Sequence, residues 1–278
     1  MSANSSSATQ VLFDAPGPKG RRRILLLSVL SVLGIAGLIG AGLWQFAVNG
    51  QLDAGKWLPY LRRDYIAFLG EGLWGTLRAT AVAAVIAFPF ALVLALARLA
   101  PLRPLSWAAT AWIEFFRGIP MLLVVYAFLL ALPAYGVTFD RFWMLVVPMI
   151  LVSSATTAEV FRAGIRAVDR GQHEAAAAIG LMPRQSMVSV ILPQAVRLVL
   201  PSLVLALVSL LKDSTLGFVV SYNELQFQGK NMVSITRFLV QTYLVVSGIY
   251  IVINLLLTRV ALVLDARMQK RAAAGPKS

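Results

Sequence analysis

The sequence contains no cysteine and a single histidine, His173. Disulfides, thiolate metal sites and cysteine nucleophiles are therefore excluded, and so is a histidine cluster. Charge is scarce. Asp, Glu, Lys and Arg make up 13% of 278 residues, where a soluble domain carries about 25%. Acidic residues are the rarer sign, 12 against 25 basic ones. No Gly-x-x-x-x-Gly-Lys-Ser/Thr run occurs, so the chain carries no phosphate loop of that kind. The apolar–polar alternation of a membrane β-barrel is also missing.

What is present is apolar. Hydrophobic residues make up 59% and the mean hydropathy is +0.77. One soluble core of this size cannot hide that much apolar surface, and disorder and fibrous repeats fail on the same numbers. An all-α polytopic membrane protein fits. The formal charge of +13 would suggest nucleic acid in a soluble protein. In a membrane protein it reflects basic residues retained in cytoplasmic loops, so no nucleic-acid partner is expected.

Six apolar stretches are long enough to cross about 30 Å of hydrocarbon at about 1.5 Å per residue. They are residues 24–48, 72–98, 108–133, 142–165, 195–222 and 240–263. The first is too long for a signal-peptide core and lacks a small-residue cleavage site. Before it lies a polar tail, 1–23, ending in Arg21, Arg22 and Arg23. Between the first two spans, residues 49–71 alternate Trp57, Tyr60, Tyr65 and Phe68 with charges. This connector reads as an interfacial helix on the outer face. A tail, 266–278, closes the chain.

Six spans place both termini on one side. With the N-terminus inside, fourteen basic residues fall in inner segments, including Arg98, Arg103, Arg162, Arg166 and Lys270, and six fall in outer ones. That asymmetry orients the chain with both termini in the cytoplasm.

The long inner loop holds a short alanine-rich helix, Glu174 to Ile179, bounded by Gly171, Gly180 and Pro183. It is too short and too polar-edged to span. Its alanines present little bulk, and Gly180 permits an abrupt turn. Such an element either docks in a partner's cleft or is a plain connecting helix. His173 beside it reads as a cap or neighbour contact, with no second ligand cluster for a metal.

Five charges sit in or near apolar stretches: Glu114, Arg117, Glu159, Lys212 and Asp213. A lone charge there costs several kcal/mol, so each needs a partner, water or an interface. Glu114 and Arg117, three apart, can pair on one helix face, and Gly118 and Pro120 then mark a kink or an inner-end boundary. Lys212, Asp213, Ser214 and Thr215 interrupt one span. Thr156, Thr157 and Glu159 interrupt another. Both groups have two readings. They line a path for a zwitterionic solute, or they compensate charge structurally.

The inner loop resembles the signature of ABC-transporter permease subunits: Glu-Ala-Ala, three residues, Gly, nine residues, Ile, one residue, Leu-Pro. Glu174, Ala175, Ala176, Gly180, Leu192 and Pro193 match, while Val190 replaces the Ile. GLWGTLRAT (72–80), EFFRGIPMLLVVYAFLLALP (114–133), AEVFRAGI (158–165), RGQHEAA (170–176), LPQAVRLVLP (192–201) and LLKDSTLGFVV (210–220) resemble the polar amino-acid branch of that family. The first span is an addition to the family's five-helix core. VLFDAPGPKGRRR (11–23) resembles actinobacterial glutamate-uptake permeases. Two departures stand out. Asp213, Ser214, Thr215 replace the family's Asp-Thr-Ser, and SSATTAEV (153–160) lacks an aromatic before the Ala-Glu pair.

The resemblance implies a permease core over 72–265 in the bacterial inner membrane. It implies half of an import path for an amino acid, glutamate above glutamine and other polar ones. The chain itself would not be an enzyme and would bind no cofactor. Implied partners are an ABC ATPase dimer using ATP and magnesium, a second and non-identical permease, and an extracellular solute-binding protein. The coupling segment 171–183, with Gly171, Gln172, His173, Glu174, Ala175, Ala176, Gly180 and Pro183, would meet the ATPase. Two readings outside this resemblance remain: an ATP-independent secondary transporter, and a membrane subunit that moves nothing.

Overall fold

The computed structural model describes residues 17–273. Residues 1–16 and 274–278, and with them most of the N-terminal tail and the first part of the 11–23 segment, lie outside the described residues. The chain divides into two units, residues 1–59 and 60–278.

The first unit holds helix α1, Pro18–Val48. Proline in the first turn suits a helix start, where its missing N–H would be unpaired anyway. The Asn49 side chain donates to the Gln45 carbonyl at 2.7 Å, and Gly50 turns the chain at φ +62. The apolar side chains of α1, such as Leu25, Leu38 and Trp44, are exposed. A helix hydrophobic all round suits lipid. A short helix α2, Ala54–Trp57, follows. Asp53 caps it by accepting from the Gly55 N–H at 2.9 Å, and the Trp57 indole donates to the Gln51 carbonyl at 2.8 Å.

The second unit is a helical bundle. Its helices are α3, Arg63–Leu99; α4, Arg103–Gly118; α5, Met121–Ala134; α6, Arg141–Ala167; α7, Arg170–Ala178; α8, Pro183–Phe218; α9, Leu225–Thr236; and α10, Leu239–Ala273. No strand occurs among the described residues. Among the described residues, five helices are long and apolar enough to cross a membrane, or six if α4 and α5 form one bent span.

That bend falls within the expected span over 108–133, at the kink or boundary that Gly118 and Pro120 were read to mark. α4 and α5 meet at 97° across Ile119 and Pro120. Proline disfavours helical geometry in the residue before it, and Ile119 is extended at φ -101, ψ 129. The other internal prolines, Pro89, Pro148 and Pro201, sit within continuous helices. α3 also begins before the expected 72, so residues 63–71 of the connector form its first turns. Apolar packing explains the extension. Tyr60 and Leu69 are buried in one cluster with Leu225, Met232 and Val246.

The core is built on α3. Ala79, Ala83, Ala87, Ala91 and Ala95 recur every four residues and are fully buried. They form one face that receives α6 through Leu145, Val146, Met149, Ala158 and Phe161. In lipid there is no hydrophobic drive between helices, so close approach through small residues supplies the attraction. The face extends outward to Gly75, where an added Cβ would lie 2.0 Å from the Asn223 carbonyl oxygen. There the Tyr222 hydroxyl donates to the Gly75 carbonyl at 3.1 Å, and the Leu225 N–H donates to the Thr76 hydroxyl at 3.1 Å. At the other end, Gly164 of α6 lets Val199 of α8 approach; an added Cβ would lie 2.2 Å from the Val199 Cγ1.

Candidate functional site

Three groups of residues carry chemistry: the short segment α7, a charge cluster that joins α3, α4 and α6, and a polar cavity between α6 and α8.

Helix α7 is longer than its alanine run. It begins at Arg170 because the Asp169 carboxylate accepts from the Gly171 N–H at 2.6 Å, a side-chain N-cap. Gly171, expected as the breaker before the helix, therefore lies in its first turn. The helix ends in a Schellman motif. The Leu181 N–H donates to the Ala176 carbonyl at 3.1 Å and the Gly180 N–H to the Ala177 carbonyl at 3.0 Å. Gly180 supplies the left-handed backbone this needs, φ +80. Only Ala176 is buried; Gln172, His173, Glu174, Ala175 and Pro183 are exposed. Two apolar side chains flank the turn in the open, Ile179 at 77% exposure and Met182 at 63%. Gln172 accepts from the Gln194 side chain of α8 at 3.1 Å, which ties the segment to a membrane helix.

The charge cluster centres on Arg98. Its guanidinium donates to Glu159 at 2.6 Å and to Glu114 at 2.9 Å. Arg162 also donates to Glu159, one turn further along α6, from Nε at 3.0 Å. The expected Glu114–Arg117 pair is present but long, 3.9 Å. Glu159 is thus committed to two arginines and does not line the polar cavity. Arg98 was readable only as a loop cation, since nothing local signals a partner 61 residues away.

The cavity measures about 330 Å³. Ser153, Thr156 and Thr157 face it from α6, and Ser202, Ser209 and Asp213 from α8. The Thr157 hydroxyl is buried, with 1% of the residue exposed, and has no hydrogen-bond partner. Buried hydroxyls are almost always paired, and this one is among the few exceptions in the described residues. Thr156 is committed to backbone carbonyls of its own helix.

The other residues expected in this group fall elsewhere. Lys212 is exposed and absent from the cavity lining. Ser214 is buried and donates to the Leu211 carbonyl at 2.7 Å; Thr215 donates to the Lys212 carbonyl at 2.6 Å. Adjacent helical residues point in different directions, so Asp213 alone of its run reaches the cavity. Ser153, Ser202 and Ser209 were not singled out from the sequence. Their signal was there: Ser202 and Ser209 are seven apart, two turns along one face, with Asp213 one turn beyond.

A further carboxylate escaped sequence reasoning. Glu224 is fully buried at the start of α9, outside the membrane-spanning segments. It accepts from the Gln226 and Phe227 N–H groups at 2.7 and 2.6 Å and from the Tyr250 hydroxyl at 2.9 Å. Burial pushes its carboxyl up to about 7, against the pull of those three donors.

Comparison with known proteins follows the same lines. Residues 87–270 match the family described as binding-protein-dependent transport system inner membrane component. The glutamate transport system permease protein GluD of Corynebacterium glutamicum is 34% identical over 231 residues, 82% of this chain and 83% of that protein. The probable glutamine ABC transporter permease protein GlnM of Bacillus subtilis is 34% identical over 207 residues, 74% of this chain and 96% of that protein. The crystal structure of an amino acid ABC transporter with histidines matches with a TM-score of 0.71 at 31% identity, over 76% of this chain and 98% of that one.

Proposed function

The chain belongs to the family of inner-membrane components of binding-protein-dependent transport systems, and on that premise we propose that it forms half of the path of an ATP-driven glutamate importer. As a permease subunit it is an integral membrane protein and not an enzyme; ATP hydrolysis belongs to a separate subunit of the assembly. The likeness to the Corynebacterium glutamicum glutamate permease supports the substrate.

The observation that carries the reading is the hydroxyl-lined cavity with the unpaired Thr157 hydroxyl. An amino acid brings an ammonium and a carboxylate. Asp213 attracts the ammonium. Ser153, Thr157 and Ser202 offer hydroxyl donors to the carboxylate, while Ser209 donates to the Leu205 carbonyl of its own helix at 3.4 Å. Glutamine is the second reading. The cavity lining includes no lysine or arginine among the described residues, which favours a neutral side chain, and the Bacillus subtilis relative is a probable glutamine permease.

In the working cycle an external binding protein releases solute into the path. Two ATPases, loaded with ATP and magnesium, close and press on the α7 segments of two permeases. The exposed Ile179 and Met182 fill clefts on the motor, and Gly180 keeps the turn between them tight. The displacement passes to α8 through Gln172 and Gln194 and turns the path from inward-open to outward-open. Hydrolysis resets it. The partner permease is a related, non-identical chain, and both termini of this one lie in the cytoplasm.

Uptake of labelled glutamate into proteoliposomes holding the complete assembly tests this. Uptake is expected only with ATP and binding protein, with glutamate outcompeting glutamine. Preference for glutamine would move the substrate to the second reading. Uptake driven by an ion gradient without ATP would overturn the ATP-coupled mechanism.

A further inference from the structure

One groove of the second unit lies away from the polar cavity, between α8 and α10. It measures about 850 Å³ and is lined by Gln194, Arg197, Leu198, Leu200, Leu264, Arg267 and Met268. Two features of this lining are unusual together. Its walls are leucine and methionine, yet two exposed arginines stand on facing helices, and neither is joined to a carboxylate in any ion pair found among the described residues. Both belong to the inner half of the membrane helices, since α8 starts from the inner loop and α10 runs back toward the C-terminus. This placement rests on the reading that both termini are cytoplasmic.

A guanidinium is held at a membrane surface by a phosphate more readily than by water alone, because it donates two parallel hydrogen bonds to phosphate oxygens. Basic pockets between membrane helices on the cytoplasmic side are suited to anionic head groups. The apolar walls exclude a free phosphate as the natural occupant, because leucine side chains facing water would gain nothing from it. We propose that this groove binds one anionic phospholipid of the inner leaflet. Arg197 and Arg267 hold its phosphate, and its acyl chains lie along Leu198, Leu200, Leu264 and Met268.

The site has a route to function. Gln194 at the groove's edge donates to Gln172 of α7 at 3.1 Å and to the Val190 carbonyl of its own helix at 2.9 Å. A lipid seated on α8 and α10 steadies the helix from which the coupling segment hangs.

The test uses the complete transporter, purified in detergent and offered an equal mixture of phosphatidylglycerol and phosphatidylcholine, with bound lipid counted by native mass spectrometry. Wild type retains phosphatidylglycerol in preference. R197Q/R267Q loses about thirtyfold in that preference, at about 1 kcal/mol per arginine converted to a ratio. Arg103→Gln, another inner cation, leaves it unchanged. Leu264→Trp fills the groove without altering charge and lowers retention as well, so loss by charge alone and loss by fold are separated. Excess glycerol phosphate does not displace the lipid. Equal retention of the two lipids by wild type overturns the proposal. So does unchanged preference in R197Q/R267Q, or displacement by glycerol phosphate. A photoreactive residue at 264 crosslinks to lipid; a crosslink to polypeptide instead overturns the proposal. Labelling of an Arg267→Cys variant from outside the cell would show instead that the membrane orientation is wrong, independently of the lipid count.

Discussion

Thr157 is one of the few described residues with a buried polar atom that lacks a hydrogen-bond partner. A buried hydroxyl without a partner gives up its hydrogen bonds to water and receives nothing in return. Thr157→Val keeps the shape and removes the hydroxyl, so the subunit loses no interaction and its melting temperature stays the same or rises. If the hydroxyl meets the solute, KM for uptake rises about tenfold, the loss of one hydrogen bond of about 1.4 kcal/mol. Unchanged KM would remove Thr157 from the path. Glu224 gives a second prediction. Its carboxyl sits at about 7 in the fold and at about 4.3 when unfolded. The folded state therefore binds the extra proton, and stability is full below the unfolded value and falls as pH rises through 7. Glu224→Gln flattens that part of the stability–pH profile between about 4.3 and 7, read by thermal melting of the purified assembly. A profile as steep as wild type would mean another group carries the effect.

At the scale of elements, α7 was the most readable piece. Its alanines, Gly180 and Pro183 marked its C-terminal boundary without any tertiary information. Its start was misjudged because Asp169 caps the helix and draws Gly171 into the first turn. The membrane stretches were readable from hydropathy alone, whereas the 97° break between α4 and α5 was only hinted at by Gly118 and Pro120. The partners of Arg98 were out of reach, since its contacts join three helices distant in sequence. In the cavity, runs of neighbouring residues looked alike on paper, and helix geometry then sent Asp213 inward and Lys212 outward. The turn itself supports a prediction. Gly180→Ala forces a side chain into left-handed backbone, a strain of about 1–2 kcal/mol, too little to unfold the subunit. Uptake should fall at least tenfold with subunit abundance in the membrane unchanged, and Glu174→Ala at the exposed face should behave the same way. Full uptake by both variants would defeat the coupling role.

For the whole molecule, composition settled the class and the charge asymmetry proposed an orientation. The absence of cysteine makes that orientation easy to measure, because any introduced thiol is the sole label. Leu52→Cys, in the connector after α1, should react with a membrane-impermeant maleimide in intact cells. Ala178→Cys, on α7, should react only after the inner face is opened. The reverse pattern would invert the assembly and separate the motor from its handle. How the two units of the chain divide the work is testable in the same strain: deleting residues 1–48 removes what the resemblance marks as an addition to the core, and uptake should persist if the core alone forms the path.

The alanine face of α3 has a mechanical consequence. Large interlocking side chains would act as gear teeth, and shifting one helix against another would require many of them to disengage at once. Methyl groups spaced four residues apart leave shallow ridges instead, so a shift of α6 against α3 would meet fewer interlocking side chains on the α3 side. If transport turns these two helices against each other, that smooth face would lower the resistance to the motion while the helices stay in contact.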